Sequence, residues 1–160
     1  REYFVFAHKF AKIIDRGGNE LHTVQTEIEV RYQETDQMGV VYHANYLVWL
    51  EIGRKKFFES LGLDYVEMEE QNIVSPVTNI QLSYKKPVRY GETVQVVTWL
   101  KEYNGIRTVY AYKVINAAGD IAVEGTTEHV IVHKKTFKPL SLRKTFPEWH
   151  EIYLKQLQGE

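Results

Sequence analysis

The chain has 160 residues, 44% hydrophobic and 26% charged, with a formal net charge of −1. That is enough for one domain with a buried core, and the balance gives no general attraction to nucleic acid or anionic membrane. The absence of cysteine excludes disulfides, thiolate metal sites and a cysteine nucleophile, and is compatible with a reducing cytoplasm.

Residues 1–20 read as an N-terminal extension. Phe6, Phe10, Ile13 and Ile14 fall at helical spacing, and Gly17-Gly18 would end such a helix. The segment is an amphipathic appendage or an added extension, with no chemistry assigned. Arg1, Glu2, His8, Lys9 and Lys12 interrupt any signal-peptide core, and no apolar run reaches the ~18 residues of a membrane span. From Thr23 to Gln33, Val24, Thr26, Ile28, Val30 and Tyr32 alternate with Gln25, Glu27, Glu29 and Arg31, a strand with one wet face. A turn centred on Gly39 then leads into a helix expected from about Tyr42 to Ser60. Gly62 suits the left-handed position after its end. Between Tyr46 and Ile52 only Glu51 is charged, which predicts a helix buried on nearly every side.

Asp64 can cap a short helix reaching Gln71. Ile73 to Lys86 reads as a strand with a bend or edge near Pro76. Glu92 to Tyr103, Ile106 to Asn116 and Ile121 to His133 follow as strands, with Asn104-Gly105 as a two-residue hairpin signal. Pro147 suits the first position of a C-terminal helix running to about Leu157. Consecutive hairpins give an antiparallel sheet rather than alternating strands and helices. One sheet cannot easily enclose an apolar helix, so a second copy of the chain is expected to cover part of it.

Asp36 lies too far before the helix to cap it. The first helical N–H groups, near Tyr42 and His43, form an electropositive cradle for an oxygen gaining negative charge. A carboxylate facing unpaired N–H donors is a candidate acyl-transfer site.

The pattern ExD followed by GVVYHANYLVWLE resembles the signature of hotdog-fold acyl-CoA thioesterases of the 4-hydroxybenzoyl-CoA thioesterase and YbgC type. The resemblance spans roughly Thr23 to Lys135 and is most specific at Asp36, Gly39, Tyr42, His43, Asn45 and Tyr46. It implies an α+β hotdog fold, a curved antiparallel five-stranded sheet around a long central helix. Here residues 21–135 would be that domain and residues 136–160 a tail with a helix. It implies hydrolysis of an acyl-CoA with catalytic Asp36, no cofactor beyond the coenzyme A of the substrate, and a homodimer or a tetramer of paired dimers. The turn carries Met38-Gly39 where family members often have two glycines.

Each residue also has a plainer reading. Asp36 can be a turn residue bonding nearby N–H groups. His43 can be an ordinary first-turn residue; in context its N–H is the oxyanion donor. Tyr42 and Asn45 either line the acyl site or brace the loop. Glu34 is expected to support. Glu51, on the helix, is the rival carboxylate, otherwise explained by pairing with Lys55. Lys85, Lys86 and Arg89 are a solvated cluster or a grip on coenzyme A phosphates. His129 and His133 share a strand face, but no convincing third ligand accompanies them, so no metal is expected. A non-catalytic acyl-CoA-binding module and a hydroxyacyl-thioester dehydratase remain the alternatives.

Overall fold

A computed structural model of the protein describes residues 3–7 and 10–158. In chain order it contains β1 (Tyr3–Ala7), β2 (Phe10–Ile14), β3 (Val24–Glu29), α1 (Tyr46–Ser60), α2 (Tyr65–Glu70), β4 (Ile73–Val74) and β5 (Val77–Tyr84). There follow β6 (Thr93–Tyr103), β7 (Arg107–Ile115), β8 (Ile121–Val130), β9 (Val132–His133), α3 (Leu142–Thr145) and α4 (Pro147–Gln156). Five strands form the main antiparallel sheet in the order β3-β6-β7-β8-β5, with α1 against one face. The α+β hotdog architecture is the one expected.

α1 buries Tyr46, Trp49, Leu50, Gly53, Phe57 and Phe58, a stripe at spacings of three and four. Gly53 permits the close approach: a Cβ there would lie 2.6 Å from Thr98 Oγ1 and 2.9 Å from Val96 Cγ1 on β6. Gly62 closes the helix at φ 76°. Its N–H reaches the Glu59 carbonyl, and the Leu63 N–H reaches that of Phe58, which satisfies two terminal carbonyls. Leu47, Val48 and Ile52 remain 37%, 47% and 37% exposed, because the sheet wraps only one side. β5, at the sheet edge, has seven of its eight residues exposed.

Both faces of β6 and β7 are apolar. Val94, Val96, Leu100, Tyr110, Tyr112 and Val114 face the main core. Val97, Trp99, Ala111 and Ile115 form a second cluster with Ile13 and Leu21. The N-terminal extension is therefore not the expected helix: β1 and β2 pair as an antiparallel hairpin. Their sequences, YFVFA and FAKII, are rich in the aromatic and β-branched residues that suit strands.

Other boundaries also differ from expectation. The first core strand stops at Glu29 rather than Gln33, and Tyr32–Glu34 forms a 3-10 turn. The central helix proper begins at Tyr46, after a 3-10 turn at His43–Asn45. The Ile73–Lys86 strand is broken at Pro76, which has no N–H for a ladder, and β4 pairs with β9 instead. The β6–β7 loop takes three residues. Asn104 Oδ1 accepts the N–H groups of Ile106 and Arg107, and only Gly105 has positive φ there. Asp64 caps α2 through the Val66 N–H at 2.8 Å, and Pro147 opens α4 as expected.

Candidate active site

The link between β3 and α1 is pegged by Glu34. Only 5% of it is exposed, yet both carboxylate oxygens are engaged. Oε1 accepts the Arg31 N–H at 2.9 Å and meets Arg31 Nε at 3.3 Å; Oε2 accepts the Trp49 indole N–H at 2.6 Å. Burial pushes its pKa up, but these donors together hold it below the usual carboxylate range. Its backbone carbonyl accepts the Tyr42 N–H at 2.9 Å and the Asn45 side-chain amide at 2.8 Å. Glu34 and Asn45 thus brace the loop against the helix.

Asp36, two residues on, is half-buried. Thr35 pairs with Val41 across the turn, and the Asp36 N–H reaches the Val40 carbonyl at 2.9 Å. Asp36 Oδ1 accepts the Met38 N–H at 2.8 Å, so the turn role expected of an aspartate is present. Oδ2 has no hydrogen bond among the described residues. Gly39 takes φ 77° while Met38 has no positive φ, so a single glycine suffices.

Tyr42 and His43 are exposed, with ring centroids 4.4 Å apart. The His43 carbonyl accepts the Tyr84 hydroxyl at 3.0 Å. The His43 N–H, at the entry to the 3-10 turn, has no acceptor among the described residues. Tyr84 ends β5 and also packs its ring edge against Tyr46, 5.6 Å between centroids. The Val41 N–H bonds to the Val88 carbonyl at 2.8 Å. The segment carrying Lys85, Lys86 and Arg89 is thereby tied to the same junction. Lys85 pairs with Glu124 at 2.9 Å and Lys86 with Asp120 at 2.8 Å. Arg89 has no ion pair among the described residues.

Glu51 does not make the expected pair with Lys55; Lys55 instead meets Glu59 at 3.8 Å. Glu51 lines a cavity of about 520 Å³ on the flank of α1. Neither Asp36 nor His43 lines it. The paired-histidine reading also needs correction. β8 ends at Val130, His133 lies on β9, and His133 Nδ1 accepts the Lys135 N–H. Among the described residues no cluster suits a metal ion.

His129 instead ends a hydrogen-bonded chain that sequence reasoning missed. Arg54 Nη1 lies 3.1 Å from the Tyr112 hydroxyl, which lies 2.7 Å from Thr127 Oγ1, itself 2.9 Å from His129 Nε2. His129 Nδ1 lies 3.2 Å from the Ser75 carbonyl. That carbonyl can only accept, so Nδ1 carries the proton and Nε2 accepts from Thr127. The Tyr112 hydroxyl then donates to Thr127 and accepts from Arg54, and every donor points one way. Burial, followed by the Arg54 charge, lowers the His129 pKa to about 4. The only trace in the sequence is a charged Arg54 directly after an apolar helix half.

Residues 30–151 match the sequence profile of the thioesterase-like superfamily. The chain is 53% identical over 135 residues to Bacillus subtilis YneP, provisionally named an acyl-CoA thioesterase, covering 84% of this chain and 98% of that one. The structure is similar to a DHNA-CoA thioesterase from Staphylococcus aureus, with TM-score 0.80 and 47% identity over 83% of this chain and 89% of that one. It also shares its fold with Slr0204, a 1,4-dihydroxy-2-naphthoyl-CoA thioesterase from Synechocystis, at TM-score 0.73 and 18% identity over 83% and 96% of the two chains. The chain belongs to the thioesterase-like superfamily.

Proposed function

We propose that the protein hydrolyses an acyl-CoA thioester at the head of α1, with Asp36 as the reactive carboxylate. The observation that carries this reading is the contrast between two neighbouring acids. Glu34 has both oxygens engaged, whereas Asp36 keeps Oδ2 open, and the His43 N–H at the entry to the following 3-10 turn has no acceptor among the described residues. The thioester carbonyl oxygen would accept from that N–H. Asp36 either takes a proton from the attacking water or attacks the carbonyl itself, forming an anhydride that water then opens. Both routes release a carboxylic acid and the thiol of coenzyme A. A single oxyanion donor contributes about 3 kcal/mol to such a step.

Lys85, Lys86 and Arg89 would meet the coenzyme A phosphates, and Tyr42 would flank the entering thioester. The exposed apolar residues of α1 and the open edge of β5 fit a second copy of the chain. That homodimer would extend the sheet across its edge. Coenzyme A enters only as part of the substrate, and the setting is cytoplasmic.

The test is thiol release from acyl-CoA substrates running from acetyl to palmitoyl, with aromatic and hydroxylated acyl groups included. Dihydroxynaphthoyl-CoA belongs in that panel because of the Staphylococcus aureus relative. Loss of turnover in Asp36→Asn supports the assignment, and near-normal turnover rejects it. Water labelled with heavy oxygen separates the two routes, since only the anhydride route places label in Asp36. Glu51 is the second reading, favoured by its place on the cavity wall without an ion pair. Glu51→Gln run beside Asp36→Asn decides between the carboxylates.

A further inference from the structure

Asp36 and the His43 N–H belong to opposite legs of one small loop. Its rungs are the Asp36 N–H on the Val40 carbonyl at 2.9 Å, the Thr35–Val41 bridge, and the Tyr42 N–H on the Glu34 carbonyl at 2.9 Å. The rungs make the loop a unit but do not fix how that unit sits on α1. The second leg is tied from outside by the Tyr84 hydroxyl on the His43 carbonyl and by the Val88 carbonyl on the Val41 N–H. The first leg, which carries Asp36, is tied through Glu34. The Trp49 indole N–H reaches its Oε2 at 2.6 Å, and the Asn45 side-chain amide reaches its carbonyl at 2.8 Å.

A buried carboxylate is a costly way to satisfy one indole, so its charge needs a reason. Three donors converge on it: the Arg31 N–H and Nε–H on Oε1 and the Trp49 N–H on Oε2. A carboxylate only accepts, whereas a glutamine amide in its place would turn an NH2 group against one of those donors. The Arg31 side chain is 62% exposed, and such a pair adds little by itself. Trp49 is buried, with Tyr46 packed edge-on against it at 4.9 Å between centroids. The indole therefore cannot swing to follow the loop; the loop takes its position from the helix.

We propose that Glu34 and Trp49 are a positioning pair for the reaction, holding the Asp36 leg against α1 so that its carboxylate and the His43 N–H address the same carbonyl. Neither side chain touches substrate; both act through Asp36 and the loop. The inference rests on the reading of Asp36 as the reactive carboxylate and deepens it. Misplacing a reacting group by about 1 Å can cost on the order of a hundredfold in rate. Binding of the coenzyme A end does not depend on that placement, so the pair governs kcat and leaves KM.

Steady-state turnover of an acyl-CoA that the wild-type chain hydrolyses, measured beside hydrogen exchange at the Tyr42 amide, tests the pair. Trp49→Phe keeps an aromatic ring in the core and removes the donor; Glu34→Gln keeps the volume and removes the charge. Each should lower kcat about tenfold or more, hold KM within about twofold, and speed exchange at Tyr42. The double variant should be no slower than the slower single, because both remove the same bond. Phe57→Leu alters a buried ring two turns further along α1. It should lower the melting temperature and keep kcat. Wild-type kcat in both single variants, multiplied losses in the double, or an equal fall in Phe57→Leu would overturn the proposal. Where Trp49→Phe does not fold, Glu34→Gln and its Tyr42 exchange decide alone. Turnover retained in Asp36→Asn sinks the reading of Asp36 and this pair with it. Turnover lost there but retained in Glu34→Gln and Trp49→Phe sinks the pair alone.

Discussion

At the head of α1 the structure leaves polar atoms open, while along its flank it wires them together. The junction holds Asp36 by one oxygen and offers the His43 N–H to whatever arrives. The flank instead runs an unbroken sequence of donors from Arg54 to the Ser75 carbonyl. An open carboxylate costs little where water reaches it, whereas buried polar groups need partners. Chemistry on a substrate requires groups free to change partners, and recognition requires groups held still. The head and the flank of one helix thus differ in what they leave free.

The sharpest way to break this contrast is Asp36→Asn. The amide oxygen can still accept the Met38 N–H, so the turn and the melting temperature should be preserved. Turnover of an acyl-CoA should fall by about two orders of magnitude or more. Equal loss of stability and activity would mean the carboxylate serves only the turn.

Acid should next distinguish the wired flank. The His129 pKa is about 4 in the folded chain against 6.5 ordinarily. Between those values the unfolded chain binds a proton that the folded chain refuses. Stability is therefore complete above pH 6.5 and declines as pH falls towards 4, by about 3 kcal/mol from this group. His129→Gln can donate to Ser75 and accept from Thr127, so its urea midpoint should lose much of that decline. Glu34, held below its usual range, adds a separate loss only at more acidic pH.

Packing beneath the helix offers a smaller effect. Gly53→Ala raises intrinsic helix propensity, yet its methyl would press on Thr98 and Val96, both fully buried. A net loss of about 1–2 kcal/mol in chemical denaturation is expected. A gain would show that α1 can lift off β6 cheaply. Smallest is the triple change Lys85→Ala, Lys86→Ala, Arg89→Ala. It should raise KM for an acyl-CoA a few-fold with little change in kcat, since exposed charges contribute modestly. Unchanged KM would leave the cluster as solvated surface.

Local chemistry was readable in the sequence wherever a few consecutive residues decide the outcome. Gly62 ending α1, Asp64 capping α2 and Pro147 opening α4 all act within one helical turn. The turn role of Asp36 and the bracing role of Asn45 were legible for the same reason. The N-terminal hairpin was not, because Phe6, Phe10 and Ile13 satisfy helical spacing as well as strand propensity. What decides it is a distant surface: Ile13 packs beside Trp99 on the sheet. The Arg54 chain was hidden more deeply, since α1, β7 and β8 each contribute one or two members and only the fold brings them into register.

A sheet has two sides, and a single helix can shelter only one. Here the reverse side is closed by Ile13 and Leu21, which precede the span shared with the superfamily. The oily back of β6 and β7, Trp99 included, thus relies partly on residues that lie outside the profile-matched span. Clipping the segment that carries Ile13 would bare an adhesive patch on the side away from α1, so its loss would show first as clumping.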